Sequence, residues 1–252
     1  MEDTEDAEVV EVVSESADAD EENIEAEEQA NPPPPTKVVT EGRHASFEKA
    51  QDLADDDKAD EALAAIQEFV DNKEDELSCS EMAILSNVLT AKITSSGFGD
   101  EKKDACNAAI EILEGRTLVK EAAWLSSYVD AVYEACSKMN RCAREEEREN
   151  VWCKLKEMYL EIFMAARKVW KDKNHPERLA IYLTLAKLSK SYLDVADDET
   201  FKICEDAAKE AKFMGKGAME DEDWRDANRA IEDIKKHVGD ARHERDLLKD
   251  ED

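Results

Sequence analysis

Helix breakers are scarce in this chain. Seven glycines and five prolines serve 252 residues, and four of the prolines stand together at Pro32, Pro33, Pro34 and Pro35. The rest of the sequence has almost nothing to interrupt a helix, which argues against the turn-rich patterns of sandwiches and barrels. Positive charge is scarce too: 34 Lys and Arg stand against 64 Asp and Glu, a formal net charge of −30. Binding through phosphate neutralisation needs a basic face, so nucleic acid is excluded as the expected partner. No apolar run reaches the length of a membrane span, and no membrane association is expected. The six cysteines, Cys79, Cys106, Cys136, Cys142, Cys153 and Cys204, form no CxxC pair and have no paired histidines near them. Buried free thiols in a reducing compartment are therefore expected, and no structural metal. The first thirty residues are acidic, unlike the basic-then-apolar pattern of a secretory leader, so the expected location is cytoplasmic and also nuclear.

Signatures of catalysis are missing as well. The chain has no GxSxG, no phosphate-binding Walker loop and no HExxH. Of the four histidines, His44 adjoins the acidic N-terminal segment and His175 opens a helix. His237 and His243 are six residues apart, a poor match to the i, i+4 spacing that puts two ligands on one helix face. Paired carboxylates carry no information where 64 acids are present, because helical spacing between two of them arises by chance. The expectation is a protein that is not an enzyme and needs no cofactor.

What remains is a rich supply of apolar and charged side chains, 42% and 39% of the chain. Residues 1–30 hold fourteen acids and no Lys or Arg, too polar to offset the entropy of ordering. With the stiff "NPPPPTK" spacer they make an expected disordered acidic arm over 1–44. An all-α domain is expected over 45–248, followed by a frayed acidic tail at 249–252. Within the domain, 3.6-residue periodicity marks about nine antiparallel helices on short connections. In "SFEKAQDLA" Ser46 reads as the cap. "SCSEMAILSNVLTAKI" carries the capping-box pattern Ser78-x-x-Glu81 and stops at the "SSGFGD" turn. A long helix is expected over 145–170, with Val151, Leu155, Met158, Tyr159, Ile162 and Phe163 as its core stripe, and further helices over 175–194, 198–214 and from 220 to 238 or beyond. Asn174 reads as a cap and Pro176 as a first-turn residue. Trp124, Trp152, Trp170 and Trp224 fall at core-facing spacings. Lys168, Lys171 and Lys173 cluster at a helix C-terminus, which attracts cations without any ligand.

The stretch "HPERLAIYLTLAKLSKSYL" resembles the seventh helix of 14-3-3 proteins. Three more segments fit the same family in order: "LSCSEMAILSNVLTAKI" its third helix, "EKKDACNAAIEILE" the end of its fourth, and "KEMYLEIFMAARKV" its sixth. "DEDWRDANRAIEDIKKHVGD" fits the ninth in pattern. The resemblance covers about residues 45–245 and implies a helical cup whose groove binds phosphoserine or phosphothreonine peptides. In the family a Lys and an Arg on the third helix and an Arg-Tyr pair on the fifth grip the phosphate.

Position by position, this chain departs from that grip. The third-helix Lys position falls on Thr90, with Lys92 the nearest cation but about 200° round the helix, and the Arg position falls near Ser96. The Arg-Tyr pair falls on about Tyr133-Glu134, where Glu134 would repel a phosphate. The seventh-helix Asn position falls on Thr184, between Leu183 and Lys187 on the same helix, and the ninth-helix Asn position falls near His237. The implied groove is thus Thr90, Lys92, Tyr133, Leu183, Thr184, Lys187 and His237, with phosphate dependence weakened or lost. The short turn between Ile93 and Glu101 replaces a hairpin that the family uses to dimerise, so a monomer or an atypical dimer is expected. The functional expectation is a scaffold binding proteins or peptides. The alternatives are a helical-repeat interaction protein and an acidic chaperone of basic proteins.

Overall fold

Ser78 and Glu81 start a helix in the manner their spacing requires. The Glu81 amide donates to Ser78 Oγ (3.3 Å), and the Ser78 amide donates back to the Glu81 carboxylate (2.7 Å). In the computed structural model, which describes residues 37–250, this opens the third of nine helices, and among the described residues there is no strand. They are α1 (Lys37–Asp55), α2 (Ala59–Asp71), α3 (Cys79–Ser95), α4 (Asp100–Leu113), α5 (Ala122–Met139), α6 (Glu145–Val169), α7 (Pro176–Ser191), α8 (Asp198–Met214) and α9 (Asp221–Asp250). None is long and apolar enough to cross a membrane.

The packing follows a simple rule. The odd-numbered helices form one layer in which α1 touches α3, α3 touches α5, α5 touches α7 and α7 touches α9. Each even-numbered helix lies against the two odd helices that flank it in sequence: α2 on α1 and α3, α4 on α3 and α5, α6 on α5 and α7, and α8 on α7 and α9. Short connections between amphipathic helices produce this two-layer stacking. One continuous core runs between the layers, from Phe47 to Ala241. Three buried aromatic polar groups are satisfied inside it, while Trp152 Nε1 has no partner among the described residues. Trp124 Nε1 donates to the Leu77 carbonyl (2.8 Å), Tyr128 to Leu113 (2.8 Å) and Tyr192 to Cys136 (2.7 Å). The expected stripe of α6 is buried throughout. Trp124, Trp152 and Trp170 are core residues and Trp224 is half-buried.

Five expectations need correcting. The helical domain begins at Lys37, not 45, because Arg43 is drawn in by Glu81 and Asp75. Ser46 therefore lies inside α1, where its hydroxyl donates to the Gly42 carbonyl, instead of capping it. At the other end α9 takes in residues 249 and 250 of the expected tail. Asn174 does not cap α7: His175 occupies that position, and the Asn174 amide donates to the Gly215 carbonyl. Among the cysteines, Cys106, Cys136 and Cys204 are buried and pushed up to about 12, first by burial. Cys153 is exposed, since it faces outward on α6 between Trp152 and Lys154. The rest of the expected acidic arm, residues 1–36, and residues 251–252 lie outside the described residues.

Candidate functional site

Three successive odd helices enclose the site. From α5, Ser126, Val129 and Asp130 share one face, as the i, i+3, i+4 spacing dictates. From α7 come Pro176, Glu177, Ala180, Ile181, Leu183 and Thr184, and from α9 come Asp223, Asp226, Arg229, Ala230 and Asp233. Together they line an open groove of about 600 Å³. Its floor is apolar, made by Val129, Ile181 and Ala230, which are all buried. Its walls carry five carboxylates and one guanidinium, and that guanidinium is already engaged with Asp226 (3.2 Å).

The electrostatics follow from this crowding. Glu177 accepts a hydrogen bond from the Ser126 hydroxyl (2.9 Å). Asp130 stays open to solvent as a residue, yet shielding of its carboxyl, and then the nearby Glu177 charge, raise its pKa above the usual value. No cation among the described residues pairs with Asp130, Asp223 or Asp233, so the groove carries a surplus of negative charge.

The structure brings some of the expected groove residues together and leaves others apart. Leu183 and Thr184 line the groove. Thr184 has no free donor to offer, because its hydroxyl donates to the Ile181 carbonyl (2.7 Å) and accepts from Tyr159 (2.8 Å). Lys187 lies three residues beyond Thr184 on α7, and His237 one turn beyond Asp233 on α9. They meet at the far end of the α7–α9 seam, where burial and then the Lys187 charge lower the His237 pKa. Tyr133 is half-buried on α5, one turn past Val129. Thr90 and Lys92 belong elsewhere: no α3 residue lines the groove, and Lys92 pairs with Asp60 on α2. Glu134, in the pair Tyr133-Glu134 on which the resemblance places Arg-Tyr, pairs with Lys138 one turn along (3.4 Å).

The carboxylates of the walls were not singled out from sequence. The signal was there in α9, where Asp223, Asp226, Ala230 and Asp233 repeat at three- and four-residue steps on one face. It is drowned by acids on every other face.

A family model described as a domain of unknown function (DUF7758) matches residues 68–192, from the second half of α2 to the residue after α7. The α5 and α7 walls of the groove fall inside that similarity, and the α9 wall falls outside it. No curated protein matches the chain.

Proposed function

We propose that this protein is a non-enzymatic binding scaffold, a divergent 14-3-3-like adaptor, whose α5/α7/α9 groove takes a cationic peptide or protein segment without requiring phosphate. The observation that carries this reading is the groove wall: five carboxylates against a single arginine that is already paired. A phosphate dianion entering there would meet like charge, whereas Lys and Arg side chains would meet complementary charge and their apolar neighbours would meet Val129, Ile181 and Ala230. The adaptor works as a monomer or an atypical dimer, without nucleic acid or membrane as partner.

Fluorescence anisotropy tests the reading, using a labelled amphipathic peptide with several Lys and Arg among Leu anchors, and the same peptide phosphorylated on serine. The unphosphorylated peptide is expected to bind at least as tightly. Its affinity should weaken with salt, and by about tenfold when Asp130 and Asp233 are both changed to Asn. Tighter binding of the phosphorylated form would overturn it. Retention of binding after deletion of residues 1–30 separates this groove reading from an acidic chaperone that works through its N-terminal segment.

A further inference from the structure

A second crevice, independent of the groove, has the opposite charge. It lies between the C-terminal end of α6, the start of α7 and the outward side of α8, with a volume of about 530 Å³. Four cations line it, Arg167, Lys171, Lys173 and Arg178, against the two acids Asp206 and Glu210. Lys173 is taken up by Glu210 (2.9 Å), and Asp206 is approached by Lys209 (3.7 Å). Arg167, Lys171 and Arg178 pair with no carboxylate among the described residues. In a chain of net charge −30, three unneutralised cations in one crevice stand out.

The negative end of the α6 dipole accounts for cations at Arg167 and Lys171. It does not account for what α7 contributes. Arg178 is 7% exposed, and it donates from one nitrogen, Nη1, to two carbonyls just past the end of α6, at Trp170 (3.3 Å) and Lys171 (3.4 Å). These bonds neutralise the carbonyls that would otherwise repel an anion, and they anchor the guanidinium fork. Its other nitrogens make no hydrogen bond among the described residues and are not sealed from solvent, so they are open to a ligand in the crevice. One turn along, Tyr182 is also 7% exposed, and its ring stacks on Phe163 with centroids 4.5 Å apart. The hydroxyls of the fully buried Tyr128, Tyr159 and Tyr192 all donate hydrogen bonds within the protein. That of Tyr182 has no partner among the described residues, and Tyr182 lines the crevice.

We infer that this crevice binds a small phosphate-bearing molecule. Arg178 and Tyr182 supply positioned donors from α7, and Arg167 and Lys171 supply charge from the end of α6. A guanidinium fork beside a phenol donor is the chemistry that recognises a phosphate oxygen pair. A volume of about 530 Å³ exceeds one phosphate group and lies in the range of small-molecule sites.

Isothermal titration of the full chain with pyrophosphate, with sulfate at matched ionic strength as the reference, tests this. Saturable one-to-one binding of pyrophosphate is expected, with sulfate much weaker. Arg167→Glu changes an exposed residue and leaves the fold intact by circular dichroism. It should weaken binding by about tenfold or more, since it reverses one charge on a phosphate ligand. Tyr182→Phe keeps the stacked ring and should cost about fivefold, the worth of one hydrogen bond. Lys49→Glu, on an exposed face of α1, should change nothing. Pyrophosphate heats no larger than those of sulfate would overturn the proposal. So would equal affinities for the parent, Arg167→Glu and Tyr182→Phe.

Discussion

Replacing Arg43 by Ala tests whether the folded unit begins where the helix does. Arg43 grips Glu81 with two nitrogens, Nε at 2.6 Å and Nη2 at 3.0 Å, and Asp75 with Nη1 at 2.7 Å. The side chains of Arg43 and Glu81 are only 18% and 13% exposed, so this is not a solvent-screened surface pair; Asp75, at 38%, is nearer to one. Charge-assisted hydrogen bonds of the Glu81 kind contribute about 2 kcal/mol net. The Asp75 arm adds about 0.5 kcal/mol. The guanidinium also lies over the Phe69 ring, 5.6 Å from its centroid, which ties α1 to α2. Arg43→Ala should therefore destabilise the protein by about 2–3 kcal/mol, or about 5–10 °C in Tm for a domain of this size. Arg43→Lys should recover less than half, because an ammonium cannot span both carboxylates as a fork. Adding Glu81→Gln to the Ala variant should recover part of the loss by removing the stranded carboxylate. Urea unfolding of the full chain measures all three. An Arg43→Ala variant within about 0.5 kcal/mol of the parent would refute the reasoning and return the start of the fold to residue 45.

Two further predictions concern titration and thiols. Partial burial would raise the Asp197 carboxyl, but hydrogen bonds from Lys156 (2.6 Å) and from the Thr200 amide (2.8 Å) and hydroxyl (2.9 Å) outweigh it and hold its pKa at about 2. A depressed folded pKa stabilises above the ordinary carboxyl range and ceases to do so as pH falls. Asp197→Asn should thus cost about 1 kcal/mol at pH 7, discounted for exposure, and the gap from the parent should close between about pH 4 and pH 2 in chemical unfolding; a gap independent of pH would count against the ion pair. In thiol labelling of the native protein, Cys153 should react first while Cys106, Cys136 and Cys204 wait for unfolding, because burial raises their pKa and blocks access. Rapid modification of four or more thiols would contradict that packing.

Helix starts were legible where the chain writes them locally. Ser78-x-x-Glu81 and Pro176 each specify their own backbone, and both helices begin there. The start of α1 is written differently. "TKVVTEGRHA" follows four prolines, carries Gly42 and has no capping pattern, so periodicity stops short of it. What holds Arg43 comes from positions 32 and 38 residues further on, and no local window contains that information. The same distance effect hid Asn174, whose partner, Gly215, is 41 residues away. Side-chain chemistry suggested an N-cap, and tertiary contact used the same amide to tie the α6–α7 connection to the end of α8.

The candidate groove was half legible, and the reason is charge density. The resemblance places Leu183 and Thr184 in a groove, and both line this one. Spacing places Asp223, Asp226 and Asp233 on one face of α9, but with 64 acids in the chain nearly every face looks acidic. Only the sequence of odd-helix contacts, α5 to α7 to α9, sets Asp130, Glu177 and Asp233 around one cavity. That arrangement sets an acidic wall beside Thr184, one of the positions at which the resemblance implies a peptide contact. Glu134 is engaged by Lys138, Lys92 by Asp60 and the Thr184 hydroxyl by Tyr159 and Ile181, so these three positions carried over from the resemblance offer no free donor for phosphate. Restoring one arginine would not recreate the grip, because it would enter a field set by five carboxylates and pair with them first. Three unpaired cations, Arg167, Lys171 and Arg178, sit instead at the α6–α7–α8 crevice. The α5/α7/α9 groove and the α6–α7–α8 crevice thus differ in the sign of their unpaired charge, which makes them separable by the charge of a probe.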